Sequence, residues 1–136
     1  MFVNGANVSV PFFTIILRKG YGLGAQAMAG GSFKAPHFTV SWPTGEFGGM
    51  GLEGAVKLGY RKELAAEQDP AARKHLFDQM VARMYQHGKA LNSATHFEID
   101  DVIDPADSRT WIAAGLRAAP PPPPRTTKKR PNIDTW

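Results

Sequence analysis

The chain has no cysteine, no long apolar run and no leader-like start, and each absence excludes a class of protein. Without cysteine there is neither a disulfide framework nor a thiolate metal site. The first residues lack a basic segment followed by a long apolar stretch, so we predict no signal peptide. The longest apolar run, Val10 to Leu17, contains Pro11 and Thr14 and is too short to cross a bilayer. We therefore expect a cytoplasmic protein without a membrane partner.

A basic face on the body of the protein is also missing. The 136 residues carry a net charge of +4, with 16 Lys and Arg against 12 Asp and Glu. Residues 117–136 hold five of the basic residues and one of the acidic ones, so residues 1–116 carry 11 of each sign. Nucleic-acid surfaces usually show a basic patch on the folded body. We therefore expect no nucleic-acid partner.

The first half of the chain predicts strands separated by glycine-rich turns. Val10 to Leu17 is β-branched and aromatic, as in a strand covered on both faces. After a glycine-rich turn, Gly24 to Gly30 predicts a short helix. A second strand is expected from His37 to Trp42, where Pro43 ends it. No internal repeat is visible, and the length indicates about one domain.

The second half predicts helices. Residues 51–66 favour one or two helices whose apolar face is Leu52, Ala55, Val56 and Leu58. The clearest helix has Asp69 as its N-cap, Pro70 at its first position and Gly88 at its end. Its apolar residues recur every three to four positions, which predicts that they pack in the core; they are Leu76, Phe77, Met80, Val81, Met84 and Tyr85.

The last predicted elements lead into a tail of different composition. "FEIDDVI", residues 97–103, is typical of a short strand. A helix follows, with Asp104 as its cap and Pro105 first, and it is expected to turn Trp111, Ile112 and Leu116 inward. From residue 118 onward, five consecutive prolines predict a stiff polyproline II rod, and a basic end follows them.

The stretch "LRKGYGLGAQAMAGG", Leu17 to Gly31, holds five glycines and nearly matches the dinucleotide fingerprint G-x-G-x-x-G/A. Glu46 even lies where that fingerprint has its ribose-binding acid. A dinucleotide fold, however, needs a crossover of about ten to twelve residues or more between its strands. Glycine and proline intervene here after scarcely two turns. We therefore reject the nucleotide hypothesis and read Glu46 as a coincidence.

Two alternatives are left for the glycine turn. A strand-to-helix turn exposes successive backbone N–H groups, which can stabilise a carbonyl oxygen that gains negative charge. The same pattern also suits a tight turn without a ligand.

Other catalytic constellations are weak. The histidines share no metal-ligand spacing, so we interpret them as surface or locally bonded residues, and the aspartates near the C-terminus as turn and cap residues. These are His37, His75, His87 and His96, and Asp100, Asp101, Asp104 and Asp107. We expect no metal site.

Three linked segments resemble the carboxyltransferase (β) subunit of biotin-dependent acyl-CoA carboxylases. They are "RKGYGLGAQAM", "WPTGEFGGMGLEGAV" and "DDVIDPADSR", and "KKRPNIDTW" is similar to the basic C-terminal arm of that family. The resemblance implies an α/β fold of the crotonase/ClpP-like class, a superhelix of ββα turns. It also implies that residues 1–117 form the C-terminal part of a carboxyltransferase domain and that residues 118–136 form a proline-rich basic arm.

The resemblance further implies an enzyme that moves carboxylate from carboxybiotin to the α-carbon of an acyl-CoA. In the family, backbone amides at the glycine turn hold the ureido oxygen of biotin. By position these amides are those of Leu23 and Gly24, with Gly22 permitting the turn. Ala25 lies in the same turn, and Gln26 falls where the family helps to select the acyl chain. Trp42, Pro43 and Thr44 are expected to form a wall of the biotin pocket, although packing alone explains them equally well.

The resemblance implies partners as well. These are an acyl-CoA, biotin on a separate carboxyl carrier, a biotin carboxylase subunit and other copies of the subunit in a hexamer, in a bacterial cytosol. Family members are several hundred residues long, and their active site forms between halves of different subunits, so this chain alone is expected to be inactive. The alternative is a non-catalytic assembly module that binds a partner subunit through the proline rod and basic arm.

Overall fold

The computed structural model describes residues 1–8, 10–121 and 124. Short helices and very short parallel strands alternate along the first half of the chain, and the second half is mostly helical. The elements are α1 (Phe2–Ala6), β1 (Phe13–Ile16), β2 (Lys19–Tyr21), α2 (Gly22–Met28), β3 (Phe38–Ser41), β4 (Glu46–Gly48), α3 (Leu52–Gly59), α4 (Arg61–Ala66), α5 (Pro70–His87), α6 (Ala90–Thr95), β5 (Asp101–Val102), a 3₁₀ turn (Pro105–Asp107) and α7 (Ser108–Ala118).

The strands form two small parallel sheets that the chain visits in turn. One sheet has the order β1-β3-β5 and the other pairs β2 with β4. The chain therefore runs twice through the same unit, a strand in each sheet followed by a helix: β1-β2-α2, then β3-β4-α3. This is the predicted ββα turn. The repeat is structural only, since no sequence repeat accompanies it.

The centre of the molecule is β3, in which all four residues are buried. Two of them are polar, and each hydroxyl donates to a main-chain carbonyl. Thr39 Oγ1 bonds to the carbonyl of Phe33 at 2.6 Å, and Ser41 Oγ bonds to that of Ile16 at 3.1 Å. Burial of these hydroxyls is tolerated because they are hydrogen-bonded.

The capping residues predicted for α5 are confirmed, but its apolar side chains are less buried than predicted. The Asp69 side chain accepts from the N–H groups of Ala71 and Ala72, Pro70 is the first helical residue, and Gly88 ends the helix. The six apolar side chains face inward, yet no residue of α5 is fully buried. Helix α5 packs mainly on the short helices α3 and α4, so its apolar face is partly covered.

Several apolar residues lie elsewhere than predicted. Leu58 is 68% exposed, so the buried face of α3 is Leu52 and Val56 alone. On α7, Trp111 packs edge-on against Phe38 as expected, at 5.4 Å between ring centroids. The prediction was wrong for Ile112 and Leu116, which are 37% and 55% exposed. The two turns of α7 that carry Trp111 and Gly115 lie against the sheet, since a Cβ at Gly115 would be 2.7 Å from the Phe13 ring and 2.8 Å from the Phe38 ring. Ile112 and Leu116 lie on the other face of the helix.

Element boundaries also differ. The strand predicted from residue 10 to residue 17 is shorter, and the one predicted over residues 97–103 is reduced to β5. Helices α1 and α6 and strands β2 and β4 were not predicted. The polyproline rod and the basic arm fall largely on residues 122, 123 and 125–136, outside the described residues, and the domain boundary at 117/118 stays a prediction.

Neither a membrane helix nor a metal cluster is found among residues 1–8, 10–121 and 124. No helix there is long and apolar enough to cross a bilayer. No group of three or more His, Asp or Glu side chains in that part could hold a metal ion.

Phe97 allows a direct test of backbone strain. It is 81% exposed and has a φ of 58°, in the left-handed region that glycine tolerates and bulky residues do not. We expect Phe97→Gly to raise the free energy of unfolding by about 0.5–1 kcal/mol, because relief of the backbone strain outweighs the added entropy of the unfolded chain. The urea midpoint measures the change.

Leu91→Gly is the matched control for this substitution. Leu91 is also exposed and apolar, but it lies within α6. Glycine in a helix costs about 1 kcal/mol, so this variant should be destabilised. If both variants lost stability alike, the strain assigned to Phe97 would be wrong.

Candidate functional site

A cleft of about 490 Å³ opens between the two ββα units and the helices that follow them. This size is within the range of small-molecule sites, about 300–1,000 Å³. Its lining comes from the start of α2, from β4, from the end of α5 and from α6; the residues are Gly20, Gly22, Leu23, Gln26, Phe33, Phe47, Gly48, Gly49, His87, Gly88, Asn92, Ser93, His96 and Glu98.

The first wall of the cleft is the backbone at the start of α2, and the conformation of Gly22 determines its shape. Gly22 has a φ of +63°, and a Cβ at this position would lie 2.9 Å from the carbonyl oxygen of Gly49. Only glycine permits both the left-handed turn and this close approach. Helix α2 begins at this residue.

The N–H groups at the start of α2 have no acceptor one turn earlier in the helix, as at every helix start. No side chain caps them, since Tyr21 at the N-cap makes no capping hydrogen bond. The start of α2 therefore has N–H groups without a side-chain cap, and Gly22 and Leu23 of this turn line the cleft.

Tyr21 fixes the strand from which this turn departs. Its hydroxyl donates to Glu46 Oε2 at 2.9 Å, across the β2–β4 pair. Burial, and next the bond to Glu46, raise the pKa of Tyr21 well above its ordinary value, so the hydroxyl stays protonated as a donor. Arg18 Nε lies 3.9 Å from the same carboxylate. Glu46 therefore holds the two strands together. Helix α2 has seven residues and is shorter than the crossover that a dinucleotide fold needs.

The second wall is made of side chains that sequence reasoning did not place in a site. His87 ends α5, Asn92 and Ser93 belong to α6, and His96 and Glu98 follow it. The imidazole rings of His87 and His96 lie 6.4 Å apart between centroids. No sequence signal indicates this wall, because α6 is short and no spacing pattern joins these residues.

The hydrogen bonds of this wall are largely local. His96 Nδ1 lies 2.8 Å from the carbonyl oxygen of Asn92. The Asn92 side-chain amide donates to the carbonyls of Gln86 at 2.8 Å and His87 at 3.3 Å, which ties α6 to the end of α5. The cleft thus has the glycine-rich start of α2 on one side and polar residues on the other.

Comparison with known proteins decides the family. The model of the carboxyl transferase domain matches residues 1–133, nearly the whole chain. The chain belongs to the carboxyl transferase domain family. The resemblance of its three segments is thereby confirmed.

Relatives in this family are longer than this chain. The carboxyltransferase subunit of propionyl-CoA carboxylase from Haloferax mediterranei is 35% identical over 113 residues, which are 82% of this chain and 21% of that subunit. The chain therefore spans about a fifth of the length of that curated relative.

Two solved structures show the same fold. A single-chain, multi-domain long-chain acyl-CoA carboxylase is 67% identical, with a TM-score of 0.70, over 83% of this chain and 11% of that one. The transcarboxylase 12S hexamer, with methylmalonyl-CoA and methylmalonic acid bound, is 29% identical, with a TM-score of 0.76, over 96% of this chain and 25% of that one. The predicted crotonase-like α/β class is confirmed.

The predicted carboxyltransferase residues divide between two places. Gly22, Leu23 and Gln26 line the cleft, whereas Gly24 and Ala25 belong to the same turn of α2 but do not line it. The roles assigned to these five residues stay predictions.

Trp42, Pro43 and Thr44 lie away from the cleft lining. The Trp42 indole donates to Ser108 Oγ at 3.0 Å, which joins the end of β3 to α7. Thr44 Oγ1 donates to the carbonyl of Leu17 at 2.6 Å. These contacts are packing contacts within the chain. That Trp42, Pro43 and Thr44 form a wall of a biotin pocket stays a prediction.

The two glycines of the carboxyltransferase turn give a paired test of its geometry. Gly22→Ala should lower the free energy of unfolding by about 1–2 kcal/mol, because the left-handed φ is strained and the Cβ meets the Gly49 carbonyl. A Cβ at Gly24 would have nothing within 4 Å, so Gly24→Ala should be neutral or stabilising by up to about 1 kcal/mol. Denaturant midpoints compare the two variants. Equal midpoints would contradict the turn described.

Proposed function

We propose that this chain forms the biotin-facing part of a carboxyltransferase that moves carboxylate from carboxybiotin to the α-carbon of an acyl-CoA. The proposal rests on one observation above all. In a chain that matches the carboxyl transferase domain along nearly its whole length, the uncapped start of α2 opens into a cleft of ligand size.

The cleft residues fit a flat, neutral ureido group. The start of α2 offers N–H donors to a carbonyl oxygen, and the main chain approaches closely because glycines line this side. The rings of Phe33 and Phe47, packed edge to face at 5.7 Å between centroids, give the cleft an apolar surface. A few convergent polar groups in an apolar cleft are typical of cofactor sites.

The amides of Leu23 and Gly24 are proposed as the oxyanion hole. When bound, carboxybiotin supplies the carboxyl group, and negative charge develops on its ureido oxygen. Pre-oriented N–H groups stabilise such charge by about 3–4 kcal/mol for each donor in a site that excludes water. Their orientation is set by the Gly22 turn and by the bond between Tyr21 and Glu46.

The acyl group is proposed to be long. The structure with 67% identity is a long-chain acyl-CoA carboxylase. Leu23, which lines the cleft, exposes 70% of its surface and offers apolar area near the proposed oxyanion hole. Gln26, in the next turn, is proposed to help select the chain.

The proposed partners follow from the same family. They are the acyl-CoA, a biotin carboxyl carrier, a biotin carboxylase and further copies of the chain, as in the hexameric transcarboxylase 12S. Met28, 68% exposed on α2, is surface that a second subunit could cover. The alternative of a pure assembly module depends on residues 118–136, which lie mostly outside the described part, and no contact of the described residues favours it.

Gly24→Pro tests the oxyanion hole. Proline removes one N–H, and position 24 lies in the first turn of α2, where no helix hydrogen bond is lost. In the enzyme that contains this chain, kcat for carboxyl transfer should fall about 100-fold or more, while assembly measured by gel filtration persists.

Gly24→Ala is the control for this experiment. It retains the N–H and should retain activity. Full activity in Gly24→Pro would show that this amide is no part of the site, and loss of assembly would show that the variant damages the fold instead.

Chain-length dependence tests the proposed acyl group. Each buried methylene contributes about 0.8 kcal/mol, so kcat/KM with palmitoyl-CoA should exceed that with propionyl-CoA by about tenfold or more. Steady-state kinetics of the assembled enzyme over a series of acyl-CoA lengths measures it. A maximum at propionyl-CoA would contradict a long-chain substrate.

A further inference from the structure

We infer that His96 is a biotin-binding residue that accepts a hydrogen bond from a ureido N–H group. The inference rests on the proposed function for the opposite wall of the cleft, the start of α2. It assigns a role to the α6 side, where sequence reasoning placed none.

The hydrogen bonds of His96 decide its tautomer. Its Nδ1 lies 2.8 Å from the carbonyl oxygen of Asn92, which can only accept. The neighbouring Thr95 hydroxyl gives its single proton to the same carbonyl at 2.7 Å. Nδ1 therefore carries the proton, and in the neutral ring Nε2 is an acceptor. No described residue donates to Nε2, and His96 is one of the residues that line the cleft.

Two neighbours of His96 add acceptors to the same wall. Asn92 uses its side-chain NH₂ group as a donor to the carbonyls of Gln86 and His87, and no described residue donates to its Oδ1. Glu98 brings a carboxylate that has no ion pair within the described residues. The α6 side of the cleft thus offers acceptors, whereas the α2 side offers donors.

A ureido group has the matching pattern. It is planar, with one carbonyl oxygen that accepts and two N–H groups that donate on either side of it. With the oxygen at the start of α2, an N–H group points away from that wall, toward an acceptor. Of the acceptors on the α6 side, His96 Nε2 belongs to a rigid ring held by a backbone bond, so little entropy is lost when it binds.

Calorimetry on the assembled enzyme that contains this chain tests the inference, with biotin methyl ester as the probe. His96→Leu removes the acceptor and should weaken binding about three- to tenfold, the effect of one neutral hydrogen bond. His96→Gln carries an amide oxygen near the position of Nε2 and should restore part of the affinity. The KM for acyl-CoA should stay unchanged in both variants.

His75→Leu is the matched control. His75 lies on the exposed face of α5, bonds to Gln79 at 2.9 Å and does not line the cleft, so its loss should leave biotin binding unchanged. Equal binding by His96→Leu and wild type would overturn the inference. Equal weakening in His96→Leu and His96→Gln would overturn it too, because the acceptor would then be irrelevant.

Gly24→Pro in the same titration separates this inference from the proposed function. If Gly24→Pro binds biotin methyl ester weakly and His96→Leu binds it normally, only the role of His96 is wrong. If Gly24→Pro binds it normally, the proposed oxyanion hole is wrong.

Discussion

The close approach of two main-chain segments, at Gly22 and Gly49, shapes the cleft of this protein. Strands β2 and β4 pair in parallel up to Tyr21, which lies opposite Gly48. The residue after Tyr21, Gly22, has a left-handed backbone conformation and lies against the carbonyl of Gly49. A side chain at Gly22 would force these segments apart. Because α2 starts at this contact, the direction of its first N–H groups is a property of backbone packing.

The sequence predicts the fold best where the signal is local. Asp69 and Pro70 mark the start of α5 correctly because a cap and a first-turn proline act within a few residues. Strand β4 and helix α6 were not predicted, because the contacts that hold them are not local in the sequence. Phe47 is held by a bond to the Gly88 carbonyl, and Ala90 by one to Gly45, partners about 40 residues away in the chain. Such elements exist only through tertiary contacts.

The candidate site also has one part that local sequence predicts and one part that it does not. Its glycine turn is visible in the sequence, because the backbone conformation at position 22 accepts glycine and no other residue type. The family resemblance adds Leu23 and Gln26, which indeed line the cleft. The opposite wall, with His87 and His96, is assembled by folding alone. The sequence pattern also does not show which apolar residues of α7 are buried. Trp111 and Gly115 lie against the sheet, whereas Leu116, the next residue, is exposed.

The contrast between the two walls bears on how this pocket can diversify. An N–H group survives every replacement of its own side chain except by proline. As long as Gly22 is retained, the α2 wall therefore keeps its N–H groups when other side chains of the turn are replaced. The imidazoles and the carboxylate opposite are lost with a single substitution each. A scan that truncates side chains would therefore detect the imidazoles and the carboxylate but would not detect the backbone N–H groups.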